Sequence, residues 1–139
     1  NPTSAVKALG ELPNVSVTGR VPEMRPYLHE SAVCVVPMRT GYGIKNKTLE
    51  AMAAGIPVVA SDRGLEGLAV DGENTPLRAL RANTPAAAAA AIGRLFDSAQ
   101  LRQMLSKNGR ELIEQGYTWA IAGQQYEQVL SRKAVAQKI

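Results

Sequence analysis

The residues best placed to do chemistry run from Gly41 to Glu50, in the order Gly41-Tyr42-Gly43-Ile44-Lys45-Asn46-Lys47-Thr48-Leu49-Glu50. Gly41 and Gly43 carry no side chain to keep a phosphate off the backbone. A helix opening near Lys45 would turn free amides and the positive end of its dipole toward such an anion. Lys45 and Lys47 fall in or beside that first turn, where a cation opposes the dipole by about 0.3–1 kcal/mol unless an anion is close. That local conflict is a mark of a functional site, with lysines bent into water as the plain alternative. Glu50 follows about one turn later. Its carboxylate can accept two hydroxyl hydrogen bonds, as a ribose diol would offer, each contributing about 1.5–3 kcal/mol in gross terms. A solvent-facing glutamate on an amphipathic helix is the alternative there.

These residues need a strand before them and a helix under them. Three short valine-rich runs read as strands: Val15 to Gly19, Ala32 to Val36 and Ile56 to Ala60. The second and third are continuous rather than alternating, the pattern of parallel strands covered on both faces. Helical segments from Met24 to Ser31 and from Lys45 to Ala54 connect them, which predicts an α/β, Rossmann-like parallel sheet with flanking helices. Leu77 to Ala82 adds a candidate edge strand. From residue 84 onward the chain reads as helical: Thr84 is an N-cap, Pro85 opens the first turn, and six alanines follow. An amphipathic pattern continues to Gly116, and Thr118 can cap a last helix whose stripe of Trp119, Ala122, Tyr126, Val129 and Leu130 reads as core packing. We therefore expect one unit, with an α/β core over 1–83 and a helical C-terminal part over 84–139. The opening Asn1-Pro2-Thr3 enters a helix without a start methionine, so we expect an N-terminally truncated domain.

Composition narrows the class. Of 139 residues, 45% are apolar and 20% charged, as in a globular protein rather than a disordered one. The net charge of +4 comes from sixteen scattered basic residues with no dense run, so no nucleic-acid partner is expected. The surplus favours anionic small molecules, or peripheral contact with an anionic membrane surface. The single cysteine, Cys34, sits in an apolar run and reads as a small hydrophobe. No apolar stretch nears the roughly 20 residues of a membrane span, and a cytoplasmic location is expected. With one His and one Cys, no metal site is expected. His29 reads as a helix-end residue rather than a base, because nothing in the sequence supplies it a partner.

Two other phosphate motifs compete. Gly41 to Thr48 matches the P-loop GxxxxGK[ST] except that Asn46 replaces the second glycine, and Asp62 follows an apolar strand as a second metal-binding carboxylate would. A P-loop NTPase is thus a rival. A GxGxxG dinucleotide loop also fails at Asn46.

The run Lys47-Thr48-Leu49-Glu50-Ala51-Met52-Ala53-Ala54-Gly55-Ile56-Pro57-Val58-Val59-Ala60-Ser61, followed by Gly64-Leu65-Glu66-Gly67-Leu68, resembles the donor-binding domain of family 4 GT-B glycosyltransferases. Val17 to Val21, Ala32 to Pro37, and Tyr117 to Trp119 with Tyr126 extend the likeness. It implies transfer of a sugar from a nucleotide diphosphate donor, UDP- or GDP-linked, with retention of configuration. It also implies no cofactor and no required metal, and an acceptor that is a polysaccharide or lipid-linked glycan. By position, Gly43, Ile44, Lys45, Asn46 and Lys47 form the turn facing the diphosphate, with Lys45 and Lys47 stabilising the leaving charge. Glu50 holds the ribose, Arg20 and Val21 form the base-binding turn, and Glu66 borders the cleft beside Ser61 and Asp62. The form here is GxGxKxKxLEAM, and Tyr42 stands eight positions before Glu50, where the family usually has a first glutamate. That departure keeps a non-catalytic sugar-nucleotide-binding or scaffolding module open as a third reading. The resemblance further implies an N-terminal acceptor domain in the same protein, without which the isolated 139 residues would transfer no sugar.

Overall fold

Three parallel strands organise the chain. The computed structural model describes residues 2–136, so the last three residues of the expected helical part lie outside it. In chain order the elements are α1 (Ser4–Ala8) with a 3-10 turn (Leu9–Glu11), α2 (Arg25–His29), β1 (Cys34–Val36), α3 (Asn46–Ala53), β2 (Val58–Ala60), β3 (Leu80–Arg81), α4 (Pro85–Asp97), α5 (Ala99–Gly116) and α6 (Trp119–Ala136). The sheet order is β1-β2-β3. Cys34 pairs with Val58 and Val36 with Ala60, while Val59 pairs with Leu80, all parallel. The expected α/β fold with parallel strands, flanking helices and a helical C-terminal tail is what the chain adopts.

The central strand β2 is buried along its whole length, and its alternation divides the core in two. Val58 and Ala60 join Val36, Ala51, Met52, Leu65, Leu68, Val70, Ala79 and Ile113 on the α3 side. Val59 joins Leu80, Ala82, Ala91, Leu95 and Leu105 on the α4 side. Helix α5 serves both, through Ile113 and Leu105. Side chains such as Met52, Leu95 and Leu105 are essentially inaccessible, and each such burial stabilises by about 1.5–3 kcal/mol.

Four expectations change. Val15 to Gly19 is irregular and mostly exposed, because among the described residues no strand lies alongside to take its backbone groups; Val17 packs beside Gly10 of the 3-10 turn instead. In the second run Val35 is 41% exposed, so β1 is covered on one face only. The long helical stretch breaks at Ser98, whose extended backbone (φ −130°, ψ 100°) ends α4 and whose hydroxyl caps Leu101 of α5. The stripe of α6 is not core: Trp119 is 94% exposed, and Tyr126, Val129 and Leu130 also face solvent. Its N-cap behaves as expected, with Thr118 Oγ1 accepting from the Ile121 amide at 3.3 Å.

At the carboxyl edge of the sheet, β1, α3 and the loop after β2 converge on Gly64. The Thr48 hydroxyl, fully buried in the first turn of α3, donates to the Gly64 carbonyl at 2.7 Å. A Cβ on Gly64 would lie 2.6 Å from the Val36 carbonyl oxygen and 3.0 Å from the Ala60 side chain. Backbone cannot yield as a flexible side chain would, so Gly64→Ala is expected to destabilise the fold by about 1–3 kcal/mol. Chemical denaturation of the two proteins checks this, and an unchanged midpoint would contradict the tight packing.

Candidate functional site

The site begins where β1 ends. The chain leaves the sheet at Val36, crosses Pro37 to Thr40, and turns through Gly41 (φ 98°) and Gly43 (φ 73°), both in the left-handed region that favours glycine. It then enters α3 through Lys45, whose extended backbone (φ −98°, ψ 112°) makes it the N-cap. Helices α1, α4, α5 and α6 start on Thr3, Thr84, Ser98 and Thr118, each of which accepts from an amide of the first turn. Helix α3 has no such side-chain cap. The Thr48 and Leu49 amides bond back to the Lys45 carbonyl, at 2.9 and 3.2 Å, which leaves those of Asn46 and Lys47 ahead of the helical ladder. Four amides with only two served, and no cap, is an arrangement suited to an outside anion.

The structure separates the two lysines. Lys45 turns inward, its side chain 9% exposed, donating to the Gly43 carbonyl and approaching Glu66 Oε2 at 3.4 Å. Lys47 is exposed and lies back along β1, with Nζ 3.5 Å from Met38 Sδ. Its charge also reaches Cys34: burial pushes that thiol's pKa up, and Lys47 opposes the shift. Glu50, one turn into α3, faces an open groove of about 680 Å³. Pro22 to Arg25, Leu28 and His29 form one wall of this groove, and Ala53, Ala54 and Arg110 line it further along. Arg20 and Val21 immediately precede that wall, Arg20 exposed and Val21 half-buried. Gly43, Ile44 and Asn46 are exposed on the turn itself.

Glu66 is brought to the same edge, but both its carboxylate oxygens are engaged, Oε1 by Arg63 at 3.1 Å and Oε2 by Lys45. Ser61 is structural here, donating to the Met38 carbonyl at 2.6 Å and accepting from the Gly64 amide. Asp62 points toward β3: Arg81 bridges it to Asp71 at 2.6 and 2.7 Å, and Asn83 donates to it at 2.9 Å. Two features of the site carry no sequence signal of their own. Tyr42, 88% exposed, has the Arg63 guanidinium 5.4 Å above its ring. His29 and Arg110 share the groove with Glu50, and no spacing rule connects positions so far apart in the chain.

The P-loop reading fails on this geometry. In that motif the Thr48 hydroxyl must be free to meet a metal ion, whereas here it is buried against Gly64. Asp62 is likewise committed to Arg81 and Asn83.

Residues 1–98 match the family described as Glycosyl transferases group 1. The chain belongs to that family. YtcC of Bacillus subtilis (strain 168), named as a glycosyltransferase, is 36% identical over 88 residues, 60% of this chain and 22% of its own length. The uncharacterized glycosyltransferase MJ1069 of Methanocaldococcus jannaschii is 28% identical over 93 residues, 66% of this chain and 23% of its own. Among solved structures, sucrose-phosphate synthase from Thermosynechococcus elongatus superposes with a TM-score of 0.62 at 34% identity, covering 78% of this chain and 28% of that one. This glycosyltransferase domain thus spans about a quarter of the length of its relatives. Among the described residues no helix is long and apolar enough to cross a membrane.

The Arg81 network yields a pH prediction for this group 1 domain. Hydrogen bonds from Arg81, and at Asp62 also from Asn83, hold both carboxylates below their ordinary value of 3.8 and raise the Arg81 pKa. A depressed carboxylate stabilises the fold above its unfolded pKa, and that contribution is lost as pH falls through the folded value. Arg81→Met should therefore lower the thermal midpoint at pH 7, and that deficit should shrink as pH falls below 3.8 through the depressed carboxylate values. A deficit that stays the same as pH falls would contradict the network.

Proposed function

We propose that this chain is the donor-binding part of a retaining GT-B glycosyltransferase of the family 4 type, taking a UDP- or GDP-linked sugar. The reading rests chiefly on one arrangement: an uncapped helix terminus, opened by two glycines at the carboxyl edge of a parallel sheet, with Glu50 facing a groove one turn further on. In this reading the Asn46 and Lys47 amides receive the diphosphate, and the Lys47 ammonium swings from Met38 to join them. Glu50 takes the ribose hydroxyls, and the base lies toward the turn at Arg20 and Val21. As the sugar–phosphate bond breaks, negative charge grows on the departing diphosphate. Amides and ammonium groups fixed in place stabilise it without reorganising, which is where such sites gain rate. Lys45 contributes its charge from behind the loop. With these positive groups the reading needs no metal.

The glycosyltransferases among its relatives support transfer of a glycosyl group, and the partial coverage supports an acceptor-binding part elsewhere in the full protein. We place the acceptor among polysaccharides and lipid-linked glycans, and the site on the cytoplasmic side. Tyr42 at the usual glutamate position favours a second reading, in which the domain binds the nucleotide sugar without transferring it. Turnover of labelled donor by the full-length protein decides between the two.

Two substitutions divide the donor between its parts. Lys47→Ala should weaken UDP or GDP and inorganic pyrophosphate by about tenfold, at roughly 1.4 kcal/mol for a lost charge-assisted bond, while leaving the free nucleoside unaffected. Glu50→Gln should weaken nucleoside and nucleoside diphosphate alike and spare pyrophosphate. Calorimetric titration measures all of these, and equal losses across the ligands in either variant would contradict the assignment.

A further inference from the structure

The loop from Arg39 to Ile44 has little to hold its shape. Among the described residues, no backbone hydrogen bond outside helices and strands begins or ends on residues 39–44, and both glycines of the loop sit at positive φ. What reaches the loop comes from side chains and from the segment after β2. Lys45 Nζ holds the Gly43 carbonyl and Glu66 Oε2; Glu66 Oε1 holds Arg63; the Arg63 guanidinium lies over Tyr42. This path leaves the glycine loop at Gly43 and returns to it at Tyr42. A second contact runs beside it. Ile44 packs so closely on Gly67 that a Cβ there would lie 2.9 Å from its Cγ1, and Tyr117 anchors Gly67 through its carbonyl at 2.9 Å.

We propose that Glu66 is a positioning residue for the diphosphate subsite: it holds Lys45, and through Lys45 the Gly43 peptide, so that the turn presents its amides outward. The proposal rests on the donor reading above. Its motive is electrostatic. A carboxylate beside a site for a multiply charged anion repels that anion, so a Glu66 that did nothing else would weaken the site. The buried Lys45 ammonium also needs a second partner, because a buried charge left underpaired is costly. Glu66 supplies that partner, while Arg63 and Tyr42 fix Glu66 from the solvent side.

The two roles of charge differ in sign, which makes the proposal testable. Pyrophosphate, UDP, GDP and uridine are titrated into wild-type protein, Glu66→Gln, Lys45→Met and the double variant. Amide order parameters at residues 41–44 are measured alongside. The brace predicts that Glu66→Gln weakens pyrophosphate and UDP by about threefold or more although a repelling charge has gone, and leaves uridine unaffected. It also predicts that the double variant loses no more than the larger single loss, and that order parameters at 41–44 fall from about 0.85 toward 0.6. Pyrophosphate binding as tight as in the wild type, or tighter, overturns the proposal. So does weaker binding with unchanged order parameters, the signature of direct contact. Should Glu66→Gln lose uridine as well, Arg63→Gln, which opens the path at its exposed end, takes its place, and unchanged order parameters there overturn the brace. If the wild type binds none of the probes, including GDP, the donor reading falls and the order parameters alone judge the brace.

Discussion

A single buried contact fixes the geometry on which the site depends. The Thr48 hydroxyl bonds the Gly64 carbonyl, and Gly64 is pressed so near the Val36 carbonyl that only a hydrogen fits in place of a Cβ. The end of β1, the first turn of α3 and the loop following β2 therefore meet at one point. The Ser61 hydroxyl reinforces the junction from the next position, bonding Met38 and the Gly64 amide. Because β2 is buried on both faces, none of these parts can shift without disturbing the core. Helix α3 is thereby held with its amino end at the open edge of the sheet, and the two loops that flank it are held against each other.

From that constraint the electrostatics follow. The helices that carry no such site begin on hydroxyl caps, except α2, which has proline in its first turn. Helix α3 begins on a lysine, which satisfies no amide and adds positive charge to the positive end of the dipole. The protein offsets part of that charge internally, by pairing Lys45 with Glu66, and leaves Lys47 exposed. The result is a terminus that is stable without ligand yet still short of an anion. Glu50 projects from the same helix into the groove, so one rigid element presents both a phosphate-seeking end and a hydroxyl-seeking side chain.

Much of this was legible in the residues. Glycine, lysine and glutamate spacing placed the turn and α3 to within a residue, since capping chemistry and periodicity act locally. Valine runs located β1 and β2 for the same reason. Strand assignment failed for Val15 to Gly19, where local preference for extended backbone is intact but pairing depends on a neighbour. The exposed stripe of α6 was misread because periodicity reports an apolar face and not what covers it. At the site, the resemblance gives Lys45 and Lys47 one shared role toward the diphosphate and puts Glu66 only at the border of the cleft. Only the packing shows that Lys45 is turned inward and that Glu66 is engaged at both oxygens. The stacking of Arg63 on Tyr42 and the arrival of His29 and Arg110 beside Glu50 arise from tertiary contacts that no short motif encodes.

The central claim is that the amino end of α3 is an anion cradle. Backbone NMR during titration with inorganic pyrophosphate tests it most directly. The account predicts that the Asn46 and Lys47 amide signals move downfield and saturate together, while the capped first turns of α4 and α5 stay still. Shifts that are absent at Asn46 and Lys47, or equally large at all three helix termini, would contradict it.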